Sequence, residues 1–212
     1  MGEMSDDARR WYFDFISPFA YLQWPKVRPL LTEFGITPVP IVFGAVLDAL
    51  GQRGPAEIPH KREFTYRHVL WMAREAGVPM RFPPAHPFNP IAALRLCVAA
   101  GCSAASINAI FDHLWGQGRA GDDIDVLAPV AESLGLTAEA ANAPEVKARL
   151  RHHTDSAIAV GVFGVPTLAL GNALFWGNDS HAFAVAALRD PALFDDAEMQ
   201  RVATLPVGIR RG

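Results

Sequence analysis

The chain has 212 residues, 50% of them apolar and 19% charged, with 19 Lys and Arg against 22 Asp and Glu for a formal net charge of -3. One or two domains fit that length, disorder throughout is excluded, and the lack of a basic excess argues against a nucleic-acid partner. Only Cys97 and Cys102 are present, too few for a disulfide framework, and no run reaches the ~18 apolar residues of a membrane span.

The opening MGEMSDDARR mixes acids and bases, so it lacks the basic-then-apolar order of a secretion leader, and a reducing, cytoplasmic setting is expected. Arg10 to Ile16 alternates Trp11, Phe13 and Phe15 with Tyr12, Asp14 and Ile16, which predicts a short aromatic strand. Ser17-Pro18 ends it with the pairing of an N-cap and a first-turn proline. Tyr21, Trp24, Val27, Leu30, Leu31 and Phe34 follow at helical spacing, interrupted by Pro25 and closed by Gly35. Ile36 to Phe43 reads as a second strand, and Pro38 and Pro40 put it at a sheet edge. A parallel crossover joins the two strands.

From Gly44 to Gly164 the alternation gives way to helical stripes. Asn89-Pro90 opens one with Ala93, Leu94 and Cys97; Ser103 caps another carrying Ile107, Ile110, Phe111, Leu114 and Trp115; Pro144 opens a third with Val146, Leu150 and Ala157. Val165 to Leu170 and Ala173 to Trp176 then flank Gly171-Asn172, a two-residue link favouring a type II′ hairpin. Asp179 or Ser180 caps a last helix to about Leu188.

This order, βαβ, helical insert, ββα, predicts an α/β thioredoxin-like fold. Its sheet layer is expected over 10–43 and 162–189, a helical insertion over 44–161, and a C-terminal tail over 190–212. The tail reads as a clasp on its own domain, with a homodimer contact as the alternative.

In such a layer the first helix faces the loop before the third strand. Ser17 is a plain helix cap on one reading. On the other it sits where thioredoxin-like redox proteins carry their nucleophile, at a helix end whose partial positive charge stabilises a thiolate. Ser17-Pro18-Phe19-Ala20 contains no cysteine, so the motif cannot exchange disulfides. A thiolate brought by a ligand fits, with Ser17 donating to it, and glutathione is the candidate. Pro166 suits a cis proline that turns the Val165 backbone outward to pair with an extended peptide. Phe175 to Ser180 is a helix cap or a holder for the γ-glutamyl end of that tripeptide.

The residues Asp14-Phe15-Ile16-Ser17-Pro18-Phe19-Ala20-Tyr21-Leu22, Ile58-Pro59-His60-Lys61-Arg62, Phe88-Asn89-Pro90, Gly164-Val165-Pro166-Thr167 and Phe175-Trp176-Gly177-Asn178-Asp179 together resemble the 2-hydroxychromene-2-carboxylate isomerases. These are DsbA-like proteins related to kappa-class glutathione transferases, and the resemblance makes the expected thioredoxin-like fold DsbA-type. The resemblance implies a glutathione-dependent isomerase of a small aromatic acid. The thiolate held by Ser17 adds to the substrate, a double bond becomes single, and rotation and elimination follow. It further implies that Lys61 meets the glycine carboxylate of glutathione, that Val165, Pro166, Asn178 and Asp179 hold its backbone and γ-glutamyl end, and that Gln52, where the family commonly has asparagine, and Asn89 lie on the substrate side. A kappa-like transferase and a non-catalytic binder of glutathione or an aromatic acid are the rival readings.

No metal is expected, because the seven histidines lack ligand spacing and no cysteine pair joins them. Adjacent His152 and His153 read as surface residues. No P-loop, G-x-S-x-G or G-x-G-x-x-G occurs.

Overall fold

A four-stranded mixed sheet in the order β2-β1-β3-β4 forms the centre of the computed structural model, which describes residues 8–209. Residues 1–7 and 210–212, on which part of the leader reading and the end of the tail fall, lie outside the described residues. Strand β1 is Arg9–Phe13, helix α1 Pro18–Glu33 and strand β2 Thr37–Pro40. The insert carries α2 (Phe43–Leu50), α3 (Pro59–Glu75), α4 (Ile91–Ala99), α5 (Ala104–Phe111), α6 (Ala128–Ser133) and α7 (Pro144–Ala159). Strands β3 (Thr167–Leu170) and β4 (Ala173–Trp176) lead into α8 (His181–Arg189) and α9 (Ala197–Ala203).

β1 and β2 are parallel, with Trp11 opposite Pro38 and Phe13 opposite Pro40. The two prolines sit on an edge strand, where a missing ladder donor costs least. β3 runs antiparallel to β1 and to β4. In the hairpin link Gly171 has φ 56° while Asn172 is not left-handed, the sign pattern of a type II′ turn.

Strand alternation buries both faces of the sheet. Trp11 and Phe13, with Phe15 just beyond the strand, enter one core; Tyr12 enters a second with Val39, Ile41, Val46, Ala157 and Ala169. In the larger core Phe111 of α5 packs on Trp11, Phe13 and Phe15, with ring centroids 6.5, 6.0 and 4.7 Å apart. The indole of Trp115 donates to the Phe15 carbonyl at 2.8 Å. The insert is thereby fastened to the residues that lead from β1 to Ser17.

α1 runs through both Pro25 and Pro29 instead of breaking at Pro25. The two prolines are exposed and four apart, so the carbonyls they leave unpaired can turn to water. Of the adjacent histidines, His152 is exposed, whereas His153 is partly buried against the Pro40 backbone. Among the described residues no helix is long and apolar enough to cross a membrane.

Candidate active site

The turn from β1 to α1 is knitted by one buried carboxyl. Asp14 Oδ1 accepts from the Ile16 N–H at 3.1 Å, Asp14 Oδ2 accepts from the Phe43 N–H at 2.9 Å, and the Ser17 N–H donates to the Asp14 carbonyl at 3.1 Å. The same side chain therefore shapes the Ser17 turn and ties it to the start of α2. Burial pushes the Asp14 carboxyl up to about 7, against the pull of the Phe43, Ile16 and Phe15 amides.

Ser17 has extended backbone and caps α1, its Oγ accepting from the Ala20 N–H at 3.2 Å. Its hydroxyl reaches the Val165 carbonyl at 3.5 Å. The Val165–Pro166 bond is cis, and Thr167 Oγ1 donates to the Gly164 carbonyl at 2.8 Å, closing that turn. The helix end and the proline loop thus form one corner.

The loop after β4 makes one wall. The Gly177 N–H donates to the Pro166 carbonyl at 2.8 Å, and buried Gln23 of α1 donates to the Gly177 carbonyl at 3.0 Å while accepting from Trp11 Nε1 at 2.7 Å. Lys26 Nζ donates to Asn178 Oδ1 at 3.0 Å. The facing wall comes from the insert. There the His86 Nε2–H donates to the Ile16 carbonyl at 2.8 Å, and His86 Nδ1 lies 2.6 Å from the Tyr66 hydroxyl. Burial pushes the His86 imidazole below its ordinary value, reinforced by the nearby Arg62 guanidinium and opposed by the Ile16 carbonyl.

Between these walls lies a cleft of about 580 Å³, a size that admits a small molecule. Ser17, Gln52, Val165, Asn178 and Asp179 all line it, joined by Phe43, Tyr66, His86 and Trp176. Pro166 is buried behind Val165. Lys61 is exposed on α3, one turn before Thr65, which lines the cleft. Asn89 is not among the lining residues; its side chain accepts from the Ile91 N–H at 3.1 Å at the start of α4. Among the described residues no group of three His, Cys, Asp or Glu side chains is placed to hold a metal ion. Asp14, Gln23, Tyr66 and His86 are additions that residue patterns did not single out. The one available signal was the run Pro83-Pro84-Ala85-His86-Pro87, a histidine fixed between prolines.

Fold and site define a class: a DsbA-like thioredoxin protein with a serine at the helix end and no cysteine beside it. A family model for the DSBA-like thioredoxin domain matches residues 10–189. The 2-hydroxychromene-2-carboxylate isomerase of Pseudomonas putida is 33% identical over 181 residues, covering 79% of this chain and 87% of that protein. Its namesake from Sphingobium xenophagum is 31% identical over 188 residues, covering 84% and 96%. A solved 2-hydroxychromene-2-carboxylate isomerase structure superposes with a TM-score of 0.72 at 27% identity, covering 91% of this chain and 98% of that one. Glutathione S-transferase kappa 2 of Caenorhabditis elegans is 28% identical over 179 residues, covering 74% and 78%. The chain belongs to the 2-hydroxychromene-2-carboxylate isomerase family and is an enzyme of that isomerase kind.

Proposed function

We propose that this enzyme binds glutathione in the cleft and uses its thiolate to isomerise 2-hydroxychromene-2-carboxylate or a closely similar ring-opened aromatic acid. The observation that carries the reading is the corner where the Ser17 hydroxyl, at the start of α1, meets the Val165 carbonyl on the cleft floor. A thiolate there gains a hydroxyl donor and the positive end of a helix dipole, two stabilisations that act on the charged form. Val165, which lines the cleft just before the cis proline, suits pairing with an extended tripeptide, and Asn178 with Asp179 suits its γ-glutamyl end. Lys61, on a flexible stem one helical turn from Thr65, supplies a cation for the glycine carboxylate.

The sulfur adds to the conjugated double bond of the opened substrate, the former double bond rotates, and elimination restores both the double bond and free glutathione. The apolar side of the cleft from Phe43 and Leu47, with the Gln52 amide, takes the aromatic acid. Two cysteines that form no disulfide and a glutathione site suit a cytoplasmic enzyme. The test is incubation with 2-hydroxychromene-2-carboxylate and glutathione, followed by absorbance. Conversion that requires glutathione is expected, and no change beside a reacting positive control contradicts the reading. The kappa relative favours a second reading, transfer of the same thiolate to an electrophile. Conjugation of a chloronitrobenzene without isomerisation would select it.

A further inference from the structure

The insert wall carries titratable side chains that the sulfur chemistry leaves unused. His86 Nε2 faces the Ile16 carbonyl, which can only accept, so Nε2 carries the hydrogen and Nδ1 of the neutral ring is an acceptor. Its partner at Nδ1 is the Tyr66 hydroxyl at 2.6 Å, which also lies 2.7 Å from the His86 carbonyl. Arg62 donates through Nε to the Tyr66 oxygen at 3.2 Å and through its terminal nitrogen to the His86 carbonyl at 2.7 Å. The imidazole is ringed by Phe82, Phe88 and Trp115, and Arg62 is the charged side chain that faces it.

A phenolic hydroxyl has one hydrogen and two lone pairs. The one hydrogen is shared between His86 Nδ1 and the His86 carbonyl, and Arg62 takes one lone pair, so Tyr66 retains the other lone pair as an acceptor position, and its residue lines the cleft. It is wired to accept a proton from a ligand and pass one to a base.

We propose that Tyr66 is a catalytic residue that relays a proton between the oxygens of a cyclic hemiketal or ortho-hydroxyaryl substrate and His86. This rests on the isomerase reading and deepens it. In the ring-opening direction the hydroxyl on carbon 2 gives its proton to Tyr66 Oη while the Tyr66 hydrogen passes to His86 Nδ1. The electron pair of the broken O–H bond forms the ketone C=O, and the bond from carbon 2 to the ring oxygen breaks with its pair left on that oxygen. His86 then returns its proton through Tyr66 to the phenolate. Nothing is oxidised or reduced; one proton moves between two oxygens that share a carbon until the ring opens, so one tyrosine serves both.

The test compares two substrates in the full-length enzyme with glutathione. 2-Hydroxychromene-2-carboxylate needs the proton transfer, whereas cis-benzylidenepyruvate has no ring hydroxyl and needs only thiolate addition, rotation and elimination. Tyr66→Phe should lower kcat ~10²-fold on the first substrate and leave the second within about threefold of wild type. His86→Gln, which keeps an amide donor toward Ile16 but cannot take up a proton, should show the same selective loss, and it stands in should Tyr66→Phe not fold. Equal slowing of both substrates would reveal a merely structural role and overturn the relay, as would no slowing of either. Wild-type enzyme that binds glutathione yet isomerises neither substrate would instead sink the isomerase reading, and the relay with it.

Discussion

The Ser17 hydroxyl meets the Val165 carbonyl across 148 residues of sequence at 3.5 Å. That separation is at the outer limit for a hydroxyl donor, so the hydrogen is positioned without being tightly held. An arriving sulfur anion can take it.

The helix end should acidify any thiol placed there, including one built into the chain. Ser17→Cys is expected to give a thiol with a pKa at or below ~7.5, against ~8.5 for free cysteine. The pH dependence of its alkylation by iodoacetamide measures this, with the Ser17→Ala protein reporting the background from Cys97 and Cys102. A midpoint at the free-cysteine value would mean that α1 contributes no useful field.

Asp14 should make stability fall with rising pH. Its carboxyl ionises near the ordinary 3.8 in the unfolded chain and near 7 in the folded one, so between those values the native state holds more protons. Its stabilising contribution is complete below about pH 4 and gone above about pH 7, a loss of at most ~4 kcal/mol. Urea denaturation of wild type and Asp14→Asn at pH 5 and pH 8 reads the difference in slope. Parallel behaviour of the two proteins would show that Asp14 ionises normally. The offset between them is a separate matter, since the asparagine NH2 must face either the Ile16 or the Phe43 N–H.

Gln23→Leu should weaken both fold and ligand binding. It leaves buried Trp11 Nε1 without its acceptor and the Gly177 carbonyl with the Ser180 hydroxyl alone, which lies at 3.0 Å. An orphaned buried donor costs ~1–3 kcal/mol. Denaturation should show a loss of about 2 kcal/mol, and calorimetry a glutathione Kd raised several-fold as the Gly177 to Asp179 loop loosens. Stability within about 0.5 kcal/mol of wild type would contradict this role for Gln23.

Local chemistry made the central elements readable: Ser17-Pro18 starts α1, Pro38 and Pro40 mark the edge, and Gly171-Asn172 turns the hairpin. The stripe behind Ser103 likewise becomes α5, ending in a widened π turn over Asp112–Gly116. Helix α3 left a weaker trace because only Val69 and Ala73 of its seventeen residues are buried, one side being given to the cleft and another to solvent. An element that covers a cavity has no continuous apolar stripe to betray it. Ser17, Val165, Asn178 and Asp179 could be placed from motifs that flank strands. The pairing of Tyr66 with His86 could not, since 20 residues separate partners that only the folded insert brings together.

The central claim concerns the ionisation of a borrowed sulfur, and its direct measurement is the ultraviolet absorbance of enzyme-bound glutathione titrated against pH. Wild-type protein should hold the thiol as thiolate well below the pH at which free glutathione ionises, and Ser17→Ala should move the midpoint upward by ~1 unit, a loss of the order of one charged hydrogen bond. An identical midpoint in the two proteins would remove Ser17 from the chemistry.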